Sequence, residues 1–338
     1  RNISTESSIP RPRNSDRCTC VSHRQRGNVK RRQVQMLDIC LLGCGGMMPL
    51  PKRHLTSLAV RFNGHTTLID CGEGTQVAMK RAGISPAPID TICFTHYHAD
   101  HISGLPGLLL DMGNSDRTKP VFMIGPKGLM RTVKALCVIA PQLPFEIKFH
   151  EFSENEETFD LDGLRLKAFH VNHNVTCYGY TFELDRAGRF DAEAAKSLGI
   201  PINYWSILQH GNEVDIPEGH FVPEQVMGPA RKGLKVTYTT DTRPTQSIEE
   251  NARGSDLFIC EGMYGDPEKA ASAKEKKHMT MQEAAKLGKA AGVKKMWLTH
   301  FSPSVINPKI YIEELREIFP EISMGKDGKT TELDFIDE

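Results

Sequence analysis

Hydrophobic and polar residues form a regular succession of strand-like and helix-like segments from Met36 onward. Short runs of β-branched and aromatic residues predict strands. These strands are Leu37–Leu42, Ser57–Phe62, Thr66–Asp70, Thr91–Thr95, Val121–Ile124, Glu146–Phe149, Leu164–Val171, Tyr178–Glu183, Lys235–Thr239, Leu257–Cys260 and Met296–Leu298. Helices are predicted to begin near Thr75, Ile102, Gly128, Ala192, Ile248, Met281 and Lys309. This order predicts the α/β class, with two facing sheets and helices outside them, in one layered domain.

The first 35 residues differ from the rest of the chain in charge and in pattern. Of 42 basic and 42 acidic residues, nine basic and two acidic ones lie in this leader, so residues 1–35 carry a net +7 and residues 36–338 a net −7. A polar, basic stretch without aliphatic periodicity predicts disorder. The leader can be a nucleic-acid-binding arm or an upstream extension that does not fold. We favour the second interpretation, with Met36 as the native start.

Cysteine usage and hydropathy point to one cellular compartment. The nine cysteines are an odd number, and they lack the paired CxxC spacing of a zinc ribbon, so we expect them to be reduced. No run of 18 apolar residues occurs, and no signal peptide is evident. These features predict a cytoplasmic protein without a membrane anchor.

The richest chemistry lies in the stretch FTHYHADHISGL, which begins at Phe94 and follows a short apolar strand. His96, His98, Asp100 and His101 crowd into six residues on the loop that leaves the carboxyl end of that strand. In α/β folds ligands usually bind at such strand ends. Neutral imidazoles and carboxylates are zinc ligands, and four in one loop exceed what a single open catalytic site needs from it. The spacing therefore predicts a metal site rather than a solvated polar loop.

Three further candidate ligands follow other predicted strands. His173 comes after LRLKAF, Asp241 after KVTYTT, and His300 after KMWLT. Each residue alone is typical of a capping or surface position. Three such residues in the same topological position, together with the loop cluster, predict that all three are ligands.

The motifs of the chain resemble the metallo-β-lactamase superfamily and, within it, the ribonuclease Z (tRNase Z) family. The resemblance runs from about Leu37 to about Ile336 and is carried by LLGCGGMMPLPKRHLTSL, LIDCGEGTQ, FTHYHADHISGLPGLL, HNVTCYGY, TTDTRP, KHMTMQEAA and LTHFSPSV. The His-x-His-x-Asp-His loop alone indicates only the superfamily. The GEGTQ, Tyr-Gly-Tyr, His-Met-Thr and His-Phe-Ser segments are more specific and resemble tRNase Z.

The resemblance implies an αββα sandwich of two mixed sheets and a site for two Zn²⁺ ions per subunit. By this likeness His96, His98 and His173 would bind one ion, Asp100, His101 and His300 the second, and Asp241 both. Asp100 would also orient the attacking water and accept its proton. His278 would protonate the departing oxygen, and Glu261 could hydrogen-bond that imidazole. A helix N-cap is the structural alternative for His278, and an ordinary loop carboxylate is the alternative for Glu261.

Substrate binding is where the sequence departs from the family pattern. The family loop Pro-x-Lys-x-Arg-Asn occurs here as PLPKRHLTS, with His54 where asparagine is usual. Lys52, Arg53 and Arg243 remain the candidates for contacting phosphate. The tRNA-binding arm of the family should fall within residues 184–234, but the stretch GIPINYWSILQHGNEV lacks a Gly-Pro-rich tip and predicts a shortened arm. Core packing around Trp205 is the simpler interpretation of that stretch.

Three functions compete at this stage. The first is a zinc-dependent endoribonuclease that removes the 3′ trailer from precursor tRNA and leaves a 3′-hydroxyl, working as a homodimer. The second is a small-molecule phosphodiesterase or a sulfatase-like zinc hydrolase of the same fold. The third is a non-catalytic RNA-binding relative, which would not need seven intact ligands. A lactamase or glyoxalase would not need the His278 motif, so we favour the endoribonuclease.

Overall fold

The structure is a computed structural model that describes residues 36–335, and the predicted disordered leader over residues 1–35 lies outside this range. The strands of the described range are β1 (Leu37–Gly43), β2 (Ser57–Phe62), β3 (His65–Ile69), β4 (Ile89–Cys93), β5 (Val121–Gly125), β6 (Ile147–Glu151), β7 (Glu156–Leu161), β8 (Leu164–Val171), β9 (Cys177–Arg186), β10 (Val214–Ile216), β11 (Gly219–Phe221), β12 (Arg231–Tyr238), β13 (Leu257–Glu261), β14 (Met296–Thr299), β15 (Ile322–Met324) and β16 (Lys329–Leu333).

Helices occupy much of the chain between these strands. They are α1 (Thr75–Arg81), α2 (Ala99–Ile102), α3 (Leu105–Asn114), α4 (Leu129–Leu136), α5 (Ala192–Ser197), α6 (Ile202–Gln209), α7 (Gln246–Ala252), α8 (Ala270–Glu275), α9 (Met281–Ala290) and α10 (Ile312–Ile318). None of the helices in the described part of the chain has the length and the apolar composition that crossing a bilayer requires.

Two seven-stranded mixed sheets form the body of the protein. The first has the order β16-β1-β2-β3-β4-β5-β6, and the second has the order β15-β14-β13-β12-β9-β8-β7. Successive residues of a strand point to opposite faces, and β1 follows this rule: Leu37, Ile39 and Leu41 join the core between the sheets, whereas Cys40 and Leu42 join the core beneath α1, α3 and α4. The predicted α/β sandwich with helices outside two facing sheets is confirmed.

The strands that the sequence pattern missed are mostly those at the edges of the sheets. β7, β15 and β16 are edge strands, and most of their residues are partly exposed, so they lack the apolar run that identifies a central strand. The short hairpin of β10 and β11, and the helices α6 and α8, were also not predicted. The seven cysteines of the described range are all unpaired, as expected.

Residues 187–230, here called the arm segment, connect β9 to β12 and contain a small core of their own. This core gathers Ala195, Ile200, Leu208, Val214, Phe221 and Val226. Trp205 packs against it and donates its indole N–H to the carbonyl of Ile200 over 2.9 Å, so the predicted packing around Trp205 is confirmed. The stretch GIPINYWSILQHGNEV therefore forms a helix on a local core.

The directions of the strands decide where the polar loops meet. β8, β12, β13 and β14 run the same way in the second sheet, because β9 is antiparallel to both β8 and β12, and β12 is parallel to β13. Their carboxyl ends therefore share one end of that sheet, where the loops carrying His173, Asp241 and His300 begin. The arm segment leaves from the opposite end, because it follows the last residue of β9 and precedes the first residue of β12.

Candidate metal centre and acid–base site

Two groups of side chains converge at this end of the sandwich, and they share one carboxylate. The first group is His96, His98, His173 and Asp241, and the second is Asp100, His101, Asp241 and His300. Within each group one possible ligand atom per residue lies within 4.8 Å of the others. The structure thus brings together the seven residues that the sequence and its family resemblance singled out as ligands.

Asp241 presents a different oxygen to each group. Its Oδ2 lies 3.7 Å from Nε2 of His96 and 3.7 Å from Nε2 of His173. Its Oδ1 lies 3.1 Å from Nε2 of His101 and 3.0 Å from Nε2 of His300. A carboxylate that divides its oxygens in this way between two sets of imidazole nitrogens can bridge two cations.

Burial and unsatisfied polarity indicate that this cluster is built for a metal. His96 and His101 are fully buried, and Nε2 of His96 has no hydrogen-bond partner among the described residues. Burial lowers the pKa of His96 well below its usual value and the pKa of His173 to about 4, so both imidazoles are neutral. Buried polar atoms normally have partners, and a neutral imidazole nitrogen without one is a free metal ligand.

The charge of Asp241 is maintained by its neighbours. Burial raises the pKa of this carboxyl group, but the surrounding histidines, His300 and His101 first, lower it by more, so the net pKa is well below its usual value. Asp100 is likewise held well below its usual pKa, because His101 and His300 outweigh the effect of its burial. Ionised carboxylates and neutral imidazoles are the nitrogen and oxygen donors that zinc and similar divalent ions prefer.

A second set of groups orients the candidate ligands, and sequence reasoning assigned no role to it. Asp70, fully buried, accepts from Nδ1 of His101 over 2.8 Å and is itself held by the backbone N–H and the hydroxyl of Thr95. Nδ1 of His173 lies 3.1 Å from the carbonyl of Lys277. Such contacts fix which ring nitrogen faces the metal. Asp70 belongs to the motif LIDCGEGTQ, so the sequence could have pointed to its supporting role. The carbonyl of Lys277 is a backbone group, and no sequence pattern marks it.

The backbone around the cluster adopts strained or closely packed conformations. Asp70 and His300 have φ angles of 59° and 55°, in the left-handed region that non-glycine residues seldom occupy. Gly46 packs against the imidazole of His300 so closely that a Cβ there would lie 2.6 Å from a ring carbon. The next residue, Met47, has a φ of 67° and donates its N–H to Oδ2 of Asp100 over 2.6 Å.

His278 and Glu261 form a pair beside the two groups. Nδ1 of His278 lies 3.2 Å from Oε2 of Glu261, and Nε2 on the other side of the ring lies 3.9 Å from Oδ2 of Asp241. Glu261 is fully buried and accepts from the backbone N–H groups of Thr242 and Met279. Burial lowers the pKa of His278, but Glu261 raises it by more, and the net value is about 9. The imidazole is therefore protonated at neutral pH and can donate a proton.

The three predicted phosphate-binding residues differ in exposure and in hydrogen-bond partners. Lys52 is exposed. The guanidinium of Arg53 donates to the carbonyls of Ser302, Val305 and Ile306 and lies over the ring of Phe301, so it holds the loop after His300. The guanidinium of Arg243 is bound to His278 and Glu283. In this structure the guanidinium groups of both arginines therefore donate hydrogen bonds to acceptors within the protein.

Comparison with known proteins agrees with this architecture. Residues 37–194 match the profile of the anti-Pycsar protein Apyc1, and residues 209–301 match that of a beta-lactamase superfamily domain. The metallo-beta-lactamase fold protein YhfI from Bacillus subtilis superposes with a TM-score of 0.65 at 17% identity, covering 88% of this chain and 99% of that one. The short form of human tRNase Z superposes with a TM-score of 0.63 at 23% identity, covering 87% and 98%.

Sequence similarity narrows the family within this fold. A ribonuclease Z of Lachnospira eligens is 59% identical over 303 residues, which cover 90% of this chain and 100% of the relative. Identity at this level over nearly the whole length shows common descent in one family, where a shared fold at 17–23% identity does not. The chain therefore belongs to the ribonuclease Z family.

Proposed function

We propose that this protein is the endoribonuclease that hydrolyses the phosphodiester joining the 3′ trailer to precursor tRNA, leaving a 3′-hydroxyl. The observation that carries the proposal is the division of the Asp241 oxygens between two ligand groups, with a protonated imidazole beside them. Hydrolysis of a phosphodiester requires an activated water and a stabilised leaving oxygen, and this arrangement provides groups for both.

The residues present fit two divalent ions, and we propose that these are zinc. His96, His98 and His173 would hold one ion, Asp100, His101 and His300 the other, and Asp241 would contact both. The support is chemical: five imidazoles and two carboxylates converge, and Nε2 of His96 lacks a hydrogen-bond partner among the described residues. When bound, such ions supply Lewis acidity to the phosphodiester and lower the pKa of water.

The chain's own groups divide the proton transfers between them. Asp100, fixed by the N–H of Met47, orients the attacking water and accepts its proton. His278 donates its Nε2 proton to the oxygen that leaves the phosphorus. Glu261, anchored by two backbone N–H groups, accepts from Nδ1 and keeps this ring charged and aimed at the site.

The arrangement of the arm segment supports a homodimer as the acting form. The arm leaves the second sheet at the end opposite to the ligands, so RNA held by one chain's arm is positioned away from that chain's own metal centre. In a homodimer the metal centre of the second chain can receive it. The arm segment holds two basic and six acidic residues. Contacts of the arm with RNA therefore have to be largely uncharged, and phosphate contacts have to come from exposed residues elsewhere, such as Lys52, Lys80 and Arg81.

The test uses the purified chain with two substrates. A 3′-extended precursor tRNA and bis(p-nitrophenyl) phosphate are each incubated with the zinc-loaded protein, and the RNA product is mapped at its end. We expect a single cut after the mature tRNA and a 3′-hydroxyl. Cleavage of the small ester alone would favour a small-molecule phosphodiesterase, and cleavage of neither would favour a binding protein.

Since the proposed substrate is precursor tRNA, we also propose the cytoplasm as the site of action.

A further inference from the structure

Arg243 joins three segments that carry functional side chains. Its guanidinium donates to the backbone carbonyl of His278 and, through both terminal nitrogens, to the carboxylate of Glu283. Its backbone N–H donates to the carbonyl of Asn172 over 2.9 Å, directly before His173. The side chain is only 16% exposed. Arg243 itself follows Asp241 by two residues, so it connects the bridging carboxylate to the segment of the candidate acid.

Glu283 is a rigid anchor for this contact. It is the third residue of α9 and forms a capping box with Thr280, in which Oε2 of Glu283 accepts from the N–H of Thr280 over 2.9 Å and the hydroxyl of Thr280 accepts from the N–H of Glu283 over 3.2 Å. A capping box satisfies donors at the start of a helix, and it therefore holds the carboxylate in place. The guanidinium is thus held in a two-pronged contact against the fixed end of α9.

The segment that Arg243 grips is constrained from its other side as well. Lys277, which precedes His278, has a φ of 61°, a conformation that a non-glycine residue seldom adopts. The carbonyl of Lys277 faces Nδ1 of His173, and its Nζ donates to Oδ1 of Asn172 over 3.0 Å. Loss of the guanidinium would leave the carbonyl of His278 without the donor that Arg243 supplies and allow this turn to relax.

We propose that Arg243 is a positioning residue that sets the place of the His278 imidazole relative to the bridging Asp241, rather than a phosphate-binding residue. The proposal rests on the proposed function in one respect, namely that His278 acts as the acid. Proton transfer is sensitive to displacements of about 1 Å, which can cost on the order of 10²-fold in rate. The chain itself supplies acceptors for the guanidinium of Arg243, so an RNA phosphate is not required to hold it in place.

The experiment compares Arg243→Ala with the wild type on aryl phosphodiesters whose leaving groups range from p-nitrophenol to phenol, and on precursor tRNA. Good leaving groups depart without a proton, so we expect little change with p-nitrophenol and a loss of roughly 10–100-fold in kcat with phenol and with precursor tRNA. KM and bound metal should stay near wild type. Arg243→Lys should recover part of the loss, and Glu283→Gln should show a smaller loss of the same kind.

A double-mutant cycle separates this role from its alternatives. If Arg243 acts through His278, Arg243→Ala should cost nothing further in a His278→Ala background. Arg253→Ala, which removes an arginine paired with Glu249 on the exposed surface, is the matched control and should leave all parameters unchanged. A raised KM on RNA with equal losses in both backgrounds would assign Arg243 to phosphate and overturn the proposal. Equal losses for every leaving group, or loss of metal, would overturn it too.

The aryl ester series keeps the two proposals independent. If the wild type fails to cut precursor tRNA but hydrolyses the esters, the proposed function fails while the leaving-group dependence still tests Arg243. If the wild type cuts precursor tRNA and Arg243→Ala leaves the leaving-group dependence unchanged, the positioning role fails while the proposed function stands.

Discussion

Nδ1 of His278 lies 3.2 Å from Oε2 of Glu261, a carboxylate that no solvent reaches. The other ring nitrogen of His278 lies near Asp241. The imidazole therefore lies between a buried anion and the carboxylate that the two candidate ligand groups share. A histidine with one nitrogen on a buried carboxylate has a fixed tautomer and a raised pKa, which suits it to donate a proton from the other nitrogen.

Replacement of Glu261 by glutamine should move the pH profile to lower pH. His278 has to be protonated to act as an acid, so the rate with a poor leaving group falls as pH rises through its pKa. Glu261 is the main group that raises this pKa to about 9, and without it burial dominates and lowers the pKa. The alkaline limb of kcat against pH for precursor tRNA should therefore shift toward neutral pH in Glu261→Gln. An unmoved limb would show that another group titrates there.

Loss of metal and loss of acid catalysis should separate in two variants. Asp241→Ala should lose bound metal and nearly all activity together, because both ligand groups depend on its carboxylate. His278→Ala should keep about two metal equivalents and lose about 10²–10⁴-fold in turnover of precursor tRNA, but much less with an activated ester. Metal analysis alongside kinetics tests both. One metal equivalent in a fully active wild type would contradict the bridged arrangement.

Asp70 should influence metal affinity without touching the metal. Asp70→Asn keeps the size of the side chain but weakens the charge that holds Nδ1 of His101. Changes to such supporting groups typically reduce metal affinity by about 10–100-fold. Titration with a chelator should therefore strip Asp70→Asn more readily than the wild type, with the metal-saturated activity affected less. Asp90→Asn, which alters a partly exposed carboxylate that also faces a histidine, is the control.

Substitutions at the adjacent residues Gly46 and Met47 should have opposite effects, because Met47→Gly should stabilise the fold whereas Gly46→Ala should disturb the site. Met47→Gly relieves about 1–2 kcal/mol of left-handed strain at an entropic cost of about 0.5–1 kcal/mol, so it should raise the free energy of unfolding by about 0.5 kcal/mol. Glycine keeps the backbone N–H that donates to Asp100, so activity on the aryl ester should persist. Gly46→Ala instead drives a methyl group into the ring of His300 and should reduce bound metal and activity. Denaturant unfolding and metal analysis check the pair.

The central parts of the fold were predictable because apolar periodicity is strongest there. The strands β1, β2, β4, β5, β13 and β14 are mostly buried and rich in apolar residues. In contrast, β7 and β16 lie at sheet edges and alternate between exposed and partly exposed positions. The position of an edge strand is set by pairing with a neighbouring strand, and the residues of that neighbour are distant in the sequence. The helix α6 was missed because its apolar residues pack on a local core whose other members lie both before and after it in the chain.

The candidate ligands were predictable because they follow the ends of strands within a few residues, where polar residues are conspicuous, although Asp100 and His101 lie in the short helix α2. The groups that support them were not. The carbonyl of Lys277 is the same in every residue type, so no sequence pattern marks it. Phosphate contact by Arg53 and Arg243 was predicted and stays a prediction, but the protein acceptors of the two guanidiniums could not be predicted from the sequence. Only the positions of the acceptors in space decide which partner an arginine takes.

Four of the seven non-glycine residues with left-handed backbone in the described range surround this site, namely Met47, Asp70, Lys277 and His300. At each of these positions glycine would relax the backbone, yet at Asp70 and His300 glycine would remove a side chain on which the site depends. Selection for stability alone and selection for chemistry therefore act in opposite directions at these two residues. A library of this chain screened only for thermal resistance would be expected to discard part of the catalytic apparatus first.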